Sequence, residues 1–232
     1  AIEDKNSTSV LVFDSNQVKL ADAVTYDDQG DVIPLSERFD KGNEDIRYSV
    51  RESFDEQIEA LLSGTFPRND HLYVMDTPEV LLRAGLKQLP MLMTQKHAKS
   101  IMKVSGGGNV NYHGLTKAGI KALPKAIENS SLVIRSPGYS NRVIAFTDMK
   151  DSNGDTVITP IEFNGRGKWQ NVEVAANVLT TAYGKRNIKN MIVNAITRGD
   201  VLYLDKKRSY ALGKIVGIQF PKNLASGASI SS

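Results

Sequence analysis

The chain has 232 residues, 41% of them hydrophobic, which is enough for one large domain, or a medium one with an appendage, and for a sizeable buried core. A formal charge of +3 is too small to attract nucleic acid by bulk charge, so any such affinity has to come from clustering. The absence of cysteine excludes disulfides, thiolate metal sites and a cysteine nucleophile and suits a reducing compartment, and no run approaches the roughly 20 apolar residues of a membrane span.

Taken in chain order, the opening stretch AIEDKNSTSVLVFD has no signal-peptide pattern and reads as a cut within a longer polypeptide. Residues 1–50 alternate short apolar runs (VLVF, VKLA, DVIPL) with polar turns such as TYDDQGD, the pattern of a small hairpin or strand-like tail. In SVRESFDEQIEALLSG, Ser53 and Glu56 form a capping box, Phe54, Ile58, Leu61 and Leu62 have helical spacing, and Gly64 supplies a stop. This helix and the turn-rich GTFPRND make a connector over 51–70, with the main boundary at 64–70. The main domain spans 71–221, and 222–232 is a flexible tail.

Three short helices lead the main domain. Thr77 caps DTPEVLLRAGLKQ with Pro78 at its first position, Thr94 caps TQKHAKSIMKV, and LTKAGIKALPKAIEN is bent or broken at Pro124. Four strand-like runs follow: SLVIRS, NRVIAFTDM, DTVITPIEFN and WQNVEVAANVLTTAY. The turns PGYS, KDSNGD and NGRGK separate them, so an antiparallel meander is expected. NIKNMIVNAITRG reads as an amphipathic helix ended by Gly199, then come the strand DVLYLD, the basic KKRS and a last apolar run, GKIVGIQF. The class is α+β: N-terminal helices packed on an antiparallel sheet of about four to five strands, with a later helix and strand.

Histidine chemistry is confined to His71, His97 and His113. His71 is expected on the surface, whereas His97, one turn into a capped helix, and His113, just before another, could face one side of the sheet or simply hydrogen-bond loop backbone. HExxH, GxSxG and phosphate-loop patterns are absent, and KDSNGD fits a hairpin turn better than a calcium loop, so neither metal nor cofactor is expected. What remains is a set of hydroxyls and cations at strand ends: Arg142, then Thr181, Tyr183, Lys185 and Arg186, and finally Lys206, Lys207 and Arg208. Thr181 and Tyr183 are two apart and share a strand face, and Lys185 follows a glycine that permits a sharp turn. Such an edge suits a phosphodiester, with cations holding the phosphate and a histidine moving the proton, and RNA supplies its own 2′-hydroxyl nucleophile. The same residues also suit a solvated turn before a helix capped by Asn187.

From LLRAGLKQLPMLMTQKHAKSIM through NVLTTAYGKRNIKNMIVNAITRGDVLYLDKKRS to IQFP, roughly residues 72 to 221, the chain resembles the phage MuF C-terminal domain. The words HGL…LP, N-x-x-T-x-AYGK and LYLDKKRS carry the resemblance. That family stands at the ends of phage head-morphogenesis proteins and of long polyvalent proteins of phages and conjugative elements. The segment from Val10 to Ser49 also looks like the tail of an upstream module, often ADP-ribosyltransferase-like, in such proteins. A weaker likeness, architectural plus the TTAY ending, links the domain to the barnase, EndoU, colicin and RelE-like nucleases of toxin tips.

These resemblances imply a toxin-like, metal-independent endoribonuclease of a phage or mobile-element protein. It would work in the cytoplasm of the producing or target bacterium or be phage-associated, with RNA (tRNA among the candidates) as substrate and an immunity protein as partner. They make His113 and His97 acid/base residues, Thr181 and Tyr183 phosphate-contacting hydroxyls, and Lys185 and Arg142 transition-state cations. Arg142, Arg186, Lys206, Lys207 and Arg208 would bind nucleic acid. The rival expectation is a non-catalytic module that binds nucleic acid or a protein partner.

Overall fold

A computed structural model describes residues 25–26, 32–33, 53–103 and 115–220 of the chain. The chain divides into two compact units, residues 1–51 and 52–232. In the first, β1 (Thr25–Tyr26), the first two residues of the stretch expected as a polar turn, pairs antiparallel with β2 (Val32–Ile33).

The second unit opens with α1 (Phe54–Ser63), where Ser53 Oγ accepts the Glu56 N–H, the Glu56 carboxylate accepts the Ser53 N–H, and Gly64 closes the helix at φ 80°. The helix expected as a connector buries Phe54, Ile58 and Leu61 in the largest apolar cluster, while Leu62 stays exposed. There follow β3 (Leu72–Asp76), α2 (Glu79–Arg83), β4 (Pro90–Met93), α3 (Gln95–Met102), α4 (Lys117–Lys121) and α5 (Leu123–Glu128). Thr94 caps α3 by accepting the His97 N–H at 3.1 Å, and the helical stretch around Pro124 is broken into α4 and α5 as its proline requires. Thr77 does not cap α2: its hydroxyl donates to Leu89 O at 2.6 Å instead.

The meander follows as β5 (Leu132–Arg135), β6 (Arg142–Lys150), β7 (Thr156–Trp169) and β8 (Val172–Leu179), and then β9 (Tyr183–Lys185), α6 (Ile188–Arg198), β10 (Val201–Leu204) and α7 (Lys206–Val216). The class is α+β, with seven helices and an eight-stranded sheet among the described residues, so four to five strands was an undercount. The sheet order is β10-β5-β6-β7-β8-β4-β3, with β9 also on β7. Pairing is antiparallel except between β4 and β8.

The missed strands LYVMD and PMLM are short and apolar, without the alternation that marks a half-buried strand. They become strands only because β8 and α1 supply partners. Gln57 completes the edge: its side-chain amide accepts the Tyr73 N–H at 2.7 Å and donates to Tyr73 O at 3.1 Å, standing in for a further strand. α7 was missed too, although Asp205 caps it by accepting the Lys207 and Arg208 N–H groups. The NGRGK turn is also corrected. β7 runs through it with a bulge at Asn164 (φ 54°), and the β7–β8 turn is the pair Gln170 and Asn171, at φ 49° and 63°, which matches the twist of a two-residue hairpin.

Helices cover both sheet faces, so LVIR and RVIAF read as continuous apolar runs rather than alternating ones. Val133, Val143, Ala145 and Val157 face the cluster built with α1 to α5. Leu132, Ile134, Ile144, Phe146 and Ile158 face the cluster built with α6 and α7. On α6, Ile188 and Ile192 are buried, and each contributes about 2–3 kcal/mol of apolar transfer free energy.

Candidate phosphate-binding cleft

The segment NVLTTAYGKRN (Asn177–Asn187) builds one corner of the molecule residue by residue. Asn177, fully buried in β8, donates to Thr77 Oγ1 at 2.8 Å and to Lys87 O at 3.0 Å, which ties the sheet to the loops around α2. β8 pairs Leu179 with Ile161 and β9 pairs Tyr183 with Ile158, so both strands run along the same edge of β7 with a one-residue slip between them. Thr180 bridges the slip, its N–H and its hydroxyl both donating to Pro160 O at 3.1 Å. Ala182 joins the core on one face, and Tyr183 packs on the other against the cluster under α6 and α7. Burial pushes the Tyr183 phenol above its ordinary value.

Gly184 does not make a sharp turn: it lies in β9 with no positive φ. A side chain there would collide with the Asp151 carboxylate, which lies across the strand. That carboxylate folds the KDSNGD hairpin by accepting the N–H of Asn153 at 2.9 Å and of Asp155 at 2.8 Å. The glycine of AYGK and the first aspartate of KDSNGD are therefore one steric unit.

Beyond it lies an open cleft of about 330 Å³ between the β6–β7 hairpin, the end of β9, the start of α6 and the end of α7. Four cations line it: Lys150, Lys185, Arg186 and Lys189. Lys150 stands opposite Thr156 on β7 and Thr156 opposite Lys185 on β9, so the three form one row across adjacent strands. Lys150 Nζ donates to Thr156 Oγ1 at 2.7 Å, and Arg186 Nε is 3.7 Å from the Asp155 carboxylate. Lys185 and Lys189 have no ion pair among the described residues. Asn187 makes no side-chain cap bond, and Asn187 to Asn190, at the positive end of the α6 helix dipole, line the same space. Ile215 and Val216 of α7 form an apolar wall.

The other residues marked in the sequence lie elsewhere. His97 is partly buried on α3, whose Ala98 and Ile101 pack on the face opposite the one that carries α6. His113 lies outside the described residues. Thr181 is in the slip between β8 and β9, in the stretch that leads to the cleft. Arg142, at the far end of β6 and about 25 Å from Lys150 along the strand, pairs with Glu162 at 3.2 Å and lies 4.1 Å over the Tyr139 ring. Lys206, Lys207 and Arg208 are exposed in the first turn of α7, where Arg208 Nη2 donates to Asn129 Oδ1 at 2.8 Å.

His71, expected on the surface, is a pairing residue. Its N–H donates to Lys168 O at 2.7 Å and its Nδ1 accepts the Lys168 N–H at 3.1 Å, so the proton of the neutral ring is on Nε2. Reading from the sequence overlooked Lys150 and Lys189, and the signal available for both was only their place beside a hairpin turn and a helix start. Among the described residues no group of three or more His, Asp or Glu is arranged to hold a metal ion, and no helix is long and apolar enough to cross a membrane.

Fold and cleft together define an α+β domain with an open, cationic recess at one end of its sheet. Residues 105–211 match the family model described as the phage MuF-C-terminal domain, which takes in the meander, the AYGK segment and most of α7 and leaves out α1 to α3, β3 and β4. No curated protein and no solved structure matches the chain.

Proposed function

We propose that this chain is an effector of a phage-related protein that grips an RNA phosphodiester in the cleft between β9 and α6. The convergence of Lys150, Lys185, Arg186 and Lys189 on the uncapped start of α6 carries the reading. Side-chain cations neutralise phosphate charge while backbone N–H groups fix its position, and neither requires base recognition. The test is anisotropy of the full chain with a labelled single-stranded RNA over a salt series. Lys185→Glu with Lys189→Glu is expected to weaken binding at least tenfold and to lower the salt slope by about 0.7 for each phosphate that is no longer neutralised. Parental affinity in the double variant would defeat the reading.

A second reading, cleavage, draws on Asp155, the carboxylate in the cleft wall beside Arg186. In it the carboxylate takes the 2′-hydroxyl proton, the 2′-oxygen attacks the adjacent phosphorus, and the bond to the 5′-oxygen breaks as that oxygen takes a proton from a water molecule, which the Asp155 carboxyl reprotonates. The products are a 2′,3′-cyclic phosphate and a 5′-hydroxyl. A toxin-like role, restrained by an immunity protein seated over the cleft, belongs to this reading. Incubation with tRNA and total RNA in EDTA decides it. Cutting that Asp155→Asn abolishes supports the toxin role, and intact RNA removes it while leaving the binding role standing.

A further inference from the structure

The outer face of α7 is not explained by packing. Its inner face buries Ser209, Leu212 and Gly213, and Gly213 is close-packed enough that a Cβ would come within 2.7 Å of Ile218 O. Outward it presents Lys206, Lys207, Tyr210 and Lys214, all exposed. Lys206, Tyr210 and Lys214 follow at intervals of four, so they stand one above another on a helix, with Lys207 beside them. Tyr210 is 66% exposed, and Lys214 Nζ lies over one face of its ring, 4.6 Å from the centroid, which steadies the ring while most of it stays in solvent. An exposed aromatic ring flanked by cations is the arrangement on which a base of a single strand stacks while its backbone meets the cations.

The stripe leads into the cleft. Ile215 and Val216, the last residues of α7, form its apolar wall, and Lys189 Nζ comes within 3.9 Å of where a Cβ on Gly217 would be. From Lys206 to Val216 the helix covers about 15 Å, so cations continue from its first turn to the phosphate recess with one aromatic on the way. We infer that the α7 face is a track for single-stranded RNA, on which a base stacks on Tyr210 while Lys206, Lys207 and Lys214 follow the backbone toward the cleft. This rests on the phosphate-gripping reading of the cleft and adds the substrate class, since a base within a duplex has no face free to stack on a side chain.

The test uses the full chain with a labelled oligouridylate of about 12 nucleotides and a blunt RNA duplex of the same length. Tyr210→Ala is expected to weaken oligouridylate binding about tenfold, Tyr210→Phe to restore it, and duplex binding to change little under either. Lys206→Ala with Lys207→Ala should lower the single-strand salt slope by about 1.4. If Tyr210→Ala binds oligouridylate like the parent while Lys185→Glu with Lys189→Glu does not bind, the track is wrong and the cleft stands. Equal loss of duplex and single strand with Tyr210→Ala also overturns the track. If the parent binds neither RNA, the cleft reading has failed as well, and the α7 stripe is then a protein-contact surface. Because Tyr210 is exposed, its variants fold as the parent does, which circular dichroism verifies.

Discussion

Gly184→Ala tests the interlock between AYGK and the β6–β7 hairpin. The added methyl would overlap the Asp151 carboxylate and come 2.9 Å from Asp151 Cβ, so the aspartate has to leave its place. Moving it endangers the two hydrogen bonds it accepts from Asn153 and Asp155 N–H, each contributing about 1 kcal/mol at a partly exposed turn. Overpacking of this kind costs roughly 1–3 kcal/mol in itself. A total of about 3–5 kcal/mol lowers Tm by about 6–20 °C in a unit of this size. Urea unfolding of the parent, Gly184→Ala, Asp151→Gly and the double variant forms a thermodynamic cycle. Asp151→Gly removes the obstacle, so the alanine should cost at least about 1 kcal/mol less in its presence. Gly184→Ala within about 0.5 kcal/mol of the parent, or an additive cycle, would refute the interlock.

Asn177→Ala should destabilise the chain by about 3 kcal/mol in the same assay, because it leaves a buried hole and strips Thr77 Oγ1 and Lys87 O of a donor. Gln57→Ala should cost about 2 kcal/mol and expose the β3 edge, seen as concentration-dependent association by light scattering. Hydrogen bonds from Lys117 and Lys121 hold the Glu59 carboxyl below its ordinary 4.5. A depressed carboxylate contributes stability above that value and loses it as pH falls through the lowered one, so Glu59→Gln should flatten the acid side of a Tm–pH profile. Burial raises the Tyr183 phenol, so its contribution is present below pH 10 and is lost as pH climbs through the raised value; Tyr183→Phe should remove that alkaline loss.

Local chemistry was legible without tertiary structure. The Ser53–Glu56 box, the Thr94 cap, the break at Pro124 and the stops at Gly64 and Gly199 each depend on residues within one turn of each other, so the amino-acid order determines them. The meander strands were visible for the same reason, as apolar runs between turn residues. β3, β4 and β9 were not: LYVMD and PMLM lie beside helical stretches and lack alternation, and Tyr183–Lys185 continues the run of β8, so only their partners in the sheet define them as strands. The candidate site divides in the same way. Lys185 and Arg186 stood out as a basic ending to a strand, but their grouping with Lys150 and Lys189 required β7 to lie between two other strands and α6 to start at that corner. Tertiary structure likewise put His97 in the opposite helix layer and made Gly184 a matter of steric room rather than of turning, since both depend on contacts between segments that sequence spacing does not encode.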